Sequence, residues 1–166
     1  MTPFGHKLSN SLENERLRMA NEWFFPWHGL GYGGRVDVDD FNGRRIRIGG
    51  VKFSGSTELV YWSTLRRYLA NKINTTFEAA EAEIRATSGA NAPAIVEDTS
   101  RLLIPFCQRI LGEAIETDRA LWRHCERSEV MWNDGLRCAQ PVLHRCARFI
   151  APNLRVSCRC CVCRTG

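Results

Sequence analysis

The residues best suited to chemistry are the cysteines and histidines near the C-terminal end of the chain. Seven of the eight cysteines follow residue 124, and thiolates and imidazoles are good zinc ligands. The candidate metal ligands are Cys138, His144, Cys146, Cys158, Cys160, Cys161 and Cys163. Because the segment lacks paired Cys-x₂-Cys steps at zinc-ribbon spacing, three interpretations stay open. They are a zinc-organised tail, a tail of reduced thiols, and an extension that is not under selection for a fold.

A second candidate site is the aromatic, glycine-rich segment at residues 27–34. Its candidate ligand- or partner-binding residues are Trp27, His28, Gly29, Gly31 and Tyr32. The segment lacks the ending of a P-loop and leads into a predicted strand, which disfavours a phosphate site. The simplest interpretation is a flexible connection, whereas a contact surface for a partner is the functional one. A weaker alternative is an enzyme pocket in which His28 is a general base oriented by a nearby carboxylate.

Two serines precede a long predicted helix. Ser54 and Ser56 lie between a strand and the start of that helix, where free N–H groups and the helix dipole can hold an anion. N-capping by Ser56 explains the same pattern more simply, and Glu58 in the first turn already complements the dipole.

Basic side chains on a predicted sheet offer a possible nucleic-acid surface. Arg45 and Arg47 lie on its polar face, and sheets backed by a helix enter the major groove in some DNA-binding proteins. The predicted register sets Asp37 opposite Arg47 and Asp39 opposite Arg45, as cross-strand charge pairs. These carboxylates favour a solvated face over a groove-reading one.

The strand pattern is clearest at residues 35–54, where apolar and polar residues alternate. A three-residue loop at 41–43 pairs Val38 with Ile46 and Val36 with Ile48, and it places Gly43 in the left-handed position after a type I turn. A second turn at 49–50 adds a third strand. The segment therefore predicts a three-stranded antiparallel meander with one apolar face.

Helices are predicted before and after this meander in the sequence. A first helix is predicted at 11–25, capped by Ser11 and ended by Pro26. Apolar residues at spacings of three and four predict two long helices, at about 57–87 and 93–124, with a kink at Pro105. The short link between them indicates an antiparallel helical hairpin. The fold class is therefore α+β, with an irregular Cys/Arg-rich C-terminal tail.

Composition and charge limit the possible classes of protein. Hydrophobic content is 44% and charged content is 25%, which is ordinary for a globular domain. Residues 1–124 carry 16 basic and 15 acidic side chains, whereas residues 125–166 carry 7 arginines and 3 acids. This shift indicates a globular domain at 1–127 and a poorly ordered tail at 128–166. No signal-peptide or membrane-span pattern is present, so a cytoplasmic protein that does not enter membranes is expected.

These patterns favour an interaction or regulatory protein without catalytic activity, and no residue is assigned a catalytic role. Its expected partner is another protein or a second copy, because long amphipathic helices often leave part of an apolar stripe for a partner. The main alternative is a nucleic-acid-binding protein that uses the basic tail, organised by zinc or not. Apart from that zinc, no cofactor is expected.

Overall fold

The computed structural model describes residues 1–31, 34–49, 56–87, 89 and 91–124, and this part of the chain is mostly helical with one two-stranded sheet. Its elements are α1 (Pro3–Met19), a π-helical turn (Ala20–Phe24), α2 (Phe25–Gly31), β1 (Arg35–Asp39), β2 (Arg45–Gly49), α3 (Ser56–Ala86) and α4 (Ala92–His124). The predicted third strand and the predicted tail at 128–166 lie outside the described residues. Within those residues, no helix combines the length and apolarity that crossing a bilayer requires.

Helix α4 is the central element of the fold, and α1, α2 and α3 all pack against it. The predicted hairpin of α3 and α4 is confirmed, with bounds within a residue or two of the prediction. The Tyr61 hydroxyl, near the start of α3, donates to the Ala114 carbonyl, late in α4, at 2.9 Å. The two long helices are therefore antiparallel.

Helix α1 begins at Pro3, eight residues before the predicted start at Ser11, so that prediction was wrong. Thr2 is the N-cap, and its hydroxyl accepts from the Gly5 N–H at 3.0 Å. Pro3 occupies the first helical position, where its fixed φ suits a helix and its missing N–H costs nothing. Thr2 and Pro3 together therefore start the helix well before Ser11.

The prediction that Pro26 ends the first helix was also wrong. The Phe25 N–H bonds to the Ala20 carbonyl, which is the i→i−5 pattern of a π-helical turn. The chain then continues as α2, in which Pro26 lies in the first turn and is tolerated there. Residues 27–31 are consequently helical, and the predicted aromatic-glycine loop does not begin at Trp27.

The sheet has the predicted register, with Val36 opposite Ile48 and Val38 opposite Ile46. Both β1 valines are only 1% exposed, since β1 packs against α2. The predicted apolar face is thus confirmed. Helix α2, which the sequence pattern did not predict, forms its cover.

The hairpin loop confirms one part of its prediction and corrects another. Gly43 has φ +78°, the left-handed conformation that was predicted for it. Phe41 also has a positive φ, +61°, whereas a type I turn requires about −60° at that position. Asp40 supplies the reason, because its carboxylate accepts from the N–H groups of Asn42 and Arg44 at 2.8 and 3.0 Å. These side-chain bonds replace the backbone pattern of a type I turn.

A cluster of aromatic rings holds the π-helical turn, α2 and α3 together. The Tyr61 ring lies 4.9 Å from the rings of both Trp23 and Trp27, measured between centroids, and 5.3 Å from that of Trp62. All four side chains are buried. Tilted and edge-on packing of this kind adds stability beyond the burial of apolar area.

Candidate functional site

Within the predicted loop at residues 27–34, residues 27–31 form part of helix α2. Trp27 is 0% exposed and belongs to the core, while Gly29 and Gly31 lie within α2. His28 is exposed on that helix, and Tyr32 lies outside the described residues. Because residues 27–31 are helical, the His28 side chain faces solvent and the Trp27 ring packs in the core.

His28 contacts α4 and not the carboxylates that were expected to orient it. Its Nε2 atom lies 3.4 Å from the Thr117 hydroxyl. Thr117 and its neighbour Asp118 are buried beside Tyr61, whose pKa is raised well above its ordinary value by burial and by the charge of Asp118. Neither α4 residue was singled out from the sequence, since both fall among the apolar positions of a long amphipathic helix.

Arg45 and Arg47, two of the basic residues of the hairpin, contact the same carboxylate. Asp37 Oδ1 lies 2.7 Å from Arg45 Nε, and Asp37 Oδ2 lies 3.6 Å from Arg47 Nε. The hydrogen bond from Arg45, aided by the charges of both arginines, lowers the pKa of Asp37. The register places Asp37 opposite Arg47 and Asp39 opposite Arg45, as predicted. Arg45, however, donates to Asp37, while the Asp39 carboxylate accepts from the Phe41 N–H. These exposed pairs describe a solvated face, as the sequence analysis favoured.

The remaining predicted site residues lie at the start of α3 or outside the described part of the chain. Ser54 and every candidate metal ligand from Cys138 to Cys163 lie outside the described residues, so the zinc site stays a prediction. Ser56 is the first residue of α3 and is exposed there. Among the described residues, no group of three or more histidine, cysteine or acidic side chains is placed to hold a metal ion.

A cleft of about 360 Å³ lies between the hairpin loop and α3. The guanidinium of Arg18 is 5.9 Å from the Phe41 ring, which in turn lies 4.6 Å from the Tyr68 ring. Tyr68 donates to Glu15 at 2.9 Å, and Arg18 bonds to the same carboxylate. The charged groups around this cleft therefore largely satisfy one another.

A second depression, here called the α1–α4 groove, has a volume of about 420 Å³. Its lining residues are Ser9, Asn10, Leu12, Glu13, Arg16, Arg101, Leu102, Pro105, Phe106 and Arg109. The floor is apolar: Leu12 and Phe106 are buried, Leu102 is half-buried, and the Pro105 ring is exposed. Such an apolar floor between two helices, with polar groups at its margin, is typical of a binding site.

Three arginines form the margin of the groove. Arg16 is held by Glu13 at 2.7 Å and by Glu113 at 3.6 Å, and it is 26% exposed. Arg101 is 57% exposed and bonds to Asp98 at 2.7 Å. Arg109 is exposed and forms no ion pair with another described residue. The groove therefore presents more positive than negative charge, with Arg101 and Arg109 the most accessible cations.

Arg16 has the largest influence on Glu13, the acidic residue that lines the groove. Its hydrogen bond to Glu13 lowers the pKa of that carboxyl, and the charges of Arg16 and Arg109 lower it further. Glu13 is therefore ionised and engaged with Arg16. Arg101 and Arg109 of α4 are therefore the cations that a molecule bound in the groove would meet.

The sequence did not reveal this groove, because the groove exists only where α1 packs against α4, far away along the chain. Only Ser9 and Asn10 of its lining residues precede the predicted helix start at Ser11. The signal on α4 was nevertheless present, since Arg101, Pro105 and Arg109 recur every four residues and so share one side of a helix.

Comparison with known proteins gives no relative: no family model, no curated protein and no solved structure matches the chain. What the groove binds has to follow from its own shape and charge.

Proposed function

We propose that this chain is a non-catalytic interaction protein of the cytoplasm, and that it binds a partner protein through the α1–α4 groove. The observation that carries the proposal is the combination of an apolar floor with a charged margin between two helices. Grooves of this kind accept an amphipathic segment, whose apolar side chains fill the floor while its polar side chains meet the margin.

The floor supplies the apolar contact that such binding needs. Leu102 is half-buried and the Pro105 ring is exposed, so both retain apolar surface that a partner can cover. Burial of apolar area contributes roughly 25 cal/mol per Å². The buried Leu12 and Phe106 support this surface from below and anchor it in the core.

The α1–α4 groove suits this role better than the sites predicted from the sequence. The Trp27 ring is unavailable to a partner because it is buried, and Arg45 and Arg47 are engaged with Asp37. Nucleic-acid binding by the tail remains an alternative prediction, and it concerns residues outside the described part of the chain.

A peptide-display selection on the full chain tests the interaction function. We expect peptides that bind the chain but not its Leu102→Gln variant, because the substitution removes apolar surface from the floor without adding charge. Leu59→Gln is the matched control, since Leu59 is 70% exposed on α3 and does not line the groove. Urea unfolding of both variants establishes that each is folded.

The two substitutions separate the possible results. Binding lost in Leu102→Gln and retained in Leu59→Gln supports the proposal. If the selected peptides bind both variants as tightly as the wild-type chain, or if no peptide binds, the groove is not an interaction site.

A further inference from the structure

We infer that the occupant of the α1–α4 groove is an acidic amphipathic segment of a partner protein. This inference rests on the proposed interaction function and adds the chemistry of the partner. It depends on the charge and spacing of the groove margin, whereas the interaction function depends on the apolar floor.

The two exposed arginines of the groove margin favour an acidic occupant. Arg101 and Arg109 lie on one side of α4, and eight residues at 1.5 Å each separate them by about 12 Å along the helix. Arg101 has one bond to Asp98, and Arg109 has no ion-pair partner among the described residues. A guanidinium presents several N–H donors in a planar fork that matches a carboxylate. Two partner carboxylates about 12 Å apart would therefore engage both arginines.

Pro105 lies between these two arginines on α4. Proline has no N–H, so the Arg101 carbonyl lacks the donor that residue 105 would normally supply in a helix. Pro105 is exposed and lines the groove. The exposed Pro105 ring therefore adds apolar surface between the two arginines, which the apolar side chains of the segment can cover.

Other occupants fit these charges less well. A second copy joined by a two-fold axis through the groove would bring the same arginines of both chains together, and like charges repel. The C-terminal segment 125–166 carries 7 arginines and 3 acidic residues, so it has the same sign as the margin. An oligonucleotide matches the charge, but its phosphates leave the apolar floor unfilled.

The distance between the two arginines predicts how far apart the two carboxylates of the partner lie in its sequence. If the segment is helical and runs along α4, its two carboxylates are seven or eight residues apart, because that number of residues spans about 12 Å. Apolar residues three and four positions after the first carboxylate then face Leu102 and Pro105. If the segment is extended, the same distance is covered by three or four residues.

The test reverses a charge first on the groove and then on the bound peptide. Peptides of about 16 residues, long enough for four helical turns, are selected on the full chain and synthesised. We expect enrichment in Asp and Glu, and binding that weakens about tenfold in Arg109→Glu, since an attraction becomes a repulsion. Replacing one peptide Glu by Lys should restore binding to that variant. Arg66→Glu is the matched control, because Arg66 is exposed on α3 and does not line the groove.

The outcomes distinguish this inference from the interaction function. Acidic peptides with the reciprocal charge rescue support both. The selected peptides could instead be neutral or basic, with binding that is lost in Leu102→Gln and unchanged in Arg109→Glu. That result would overturn the acidic partner and leave the interaction function in place. Peptides that are insensitive to Leu102→Gln overturn both. Displacement of the peptides by oleate or by a single-stranded oligonucleotide, added as competitors, would assign the groove to a lipid or to nucleic acid and also overturn the inference.

Discussion

The N–H and the hydroxyl of Thr2 donate to the same carboxylate oxygen of Asp98, at 2.6 and 2.9 Å. This contact fixes the start of α1 beside the second turn of α4. Arg16 and Glu113 form a second link near the other end of α1, at 3.6 Å. The two helices therefore run side by side in the same direction, and the groove lies between these two links.

Removing the Asp98 carboxylate is expected to lower stability. Asp98→Ala deletes the acceptor of both Thr2 donors and of Arg101, and it leaves the α1 cap without its anchor on α4. We expect a lower urea midpoint and earlier loss of α1 protection in amide exchange. Glu97→Ala is the control, since Glu97 is the exposed neighbour. Equal midpoints for the two variants would show that the Thr2–Asp98 contact does not hold α1.

The same carboxylate makes stability depend on pH. The hydrogen bonds from Thr2, with the charge of Arg101, lower the pKa of Asp98. A lowered pKa contributes stability that is present above the unfolded carboxyl pKa of about 3.9 and is lost as pH falls through the folded value. We expect the free energy of unfolding to fall more steeply below about pH 4 in the wild-type chain than in Asp98→Asn. Parallel curves from pH-dependent urea unfolding would contradict this assignment.

Gly5 is expected to resist substitution, because α1 and Asp98 approach each other closely there. A Cβ atom at residue 5 would lie 2.8 Å from the Asp98 carboxyl carbon. Gly5→Ala should destabilise the fold by about 1–3 kcal/mol, as overpacking does. Gly112→Ala should instead stabilise it by about 0.5–1 kcal/mol, since no heavy atom would lie within 4 Å of that Cβ and alanine favours helix. Thermal unfolding of both variants checks the opposite signs, and stabilisation by Gly5→Ala would refute the close approach.

Strand alternation and helical spacing predicted the elements whose form depends on residues close together in the sequence. Alternation along β1 and β2, with Gly43 in the loop, gave the strand register, because a shift of one residue would turn Val36 and Val38 out of the core. Apolar spacing likewise gave α3 and α4 to within a residue or two. These features need no knowledge of which element packs on which.

The start of α1 and the groove could not be predicted in this way. Thr2 and Asp98 are 96 residues apart, so no local pattern reveals that they meet. The π-helical turn adds to the difficulty, because it lets the helical path continue through Pro26, a residue that ordinarily marks a helix end. The candidate site then arises from tertiary packing of α1 on α4.

At residue 41, glycine is expected to be less destabilising than alanine, the reverse of the usual order. The φ of Phe41, +61°, is costly for any residue with a Cβ, and both the Asp40 side-chain bonds and the ring contact with Tyr68 favour it. Both Phe41→Ala and Phe41→Gly lose that contact, but only glycine removes the backbone cost. We expect the glycine variant to be more stable than the alanine variant by about 1 kcal/mol. A more stable alanine variant in urea unfolding would mean that the loop relaxes once the ring is gone.

Trp27 is expected to act through the core and not through a partner. Its ring is 0% exposed and lies 4.9 Å from that of Tyr61, so Trp27→Ala should cost about 3–5 kcal/mol of unfolding free energy. Phe25→Ala is the matched control, because Phe25 is 73% exposed only two residues away. We expect that change to stay within about 0.5 kcal/mol. If Trp27→Ala proved as stable as Phe25→Ala in urea unfolding, α2 would not be fixed to the core, and the segment at 27–34 would again be a candidate contact surface.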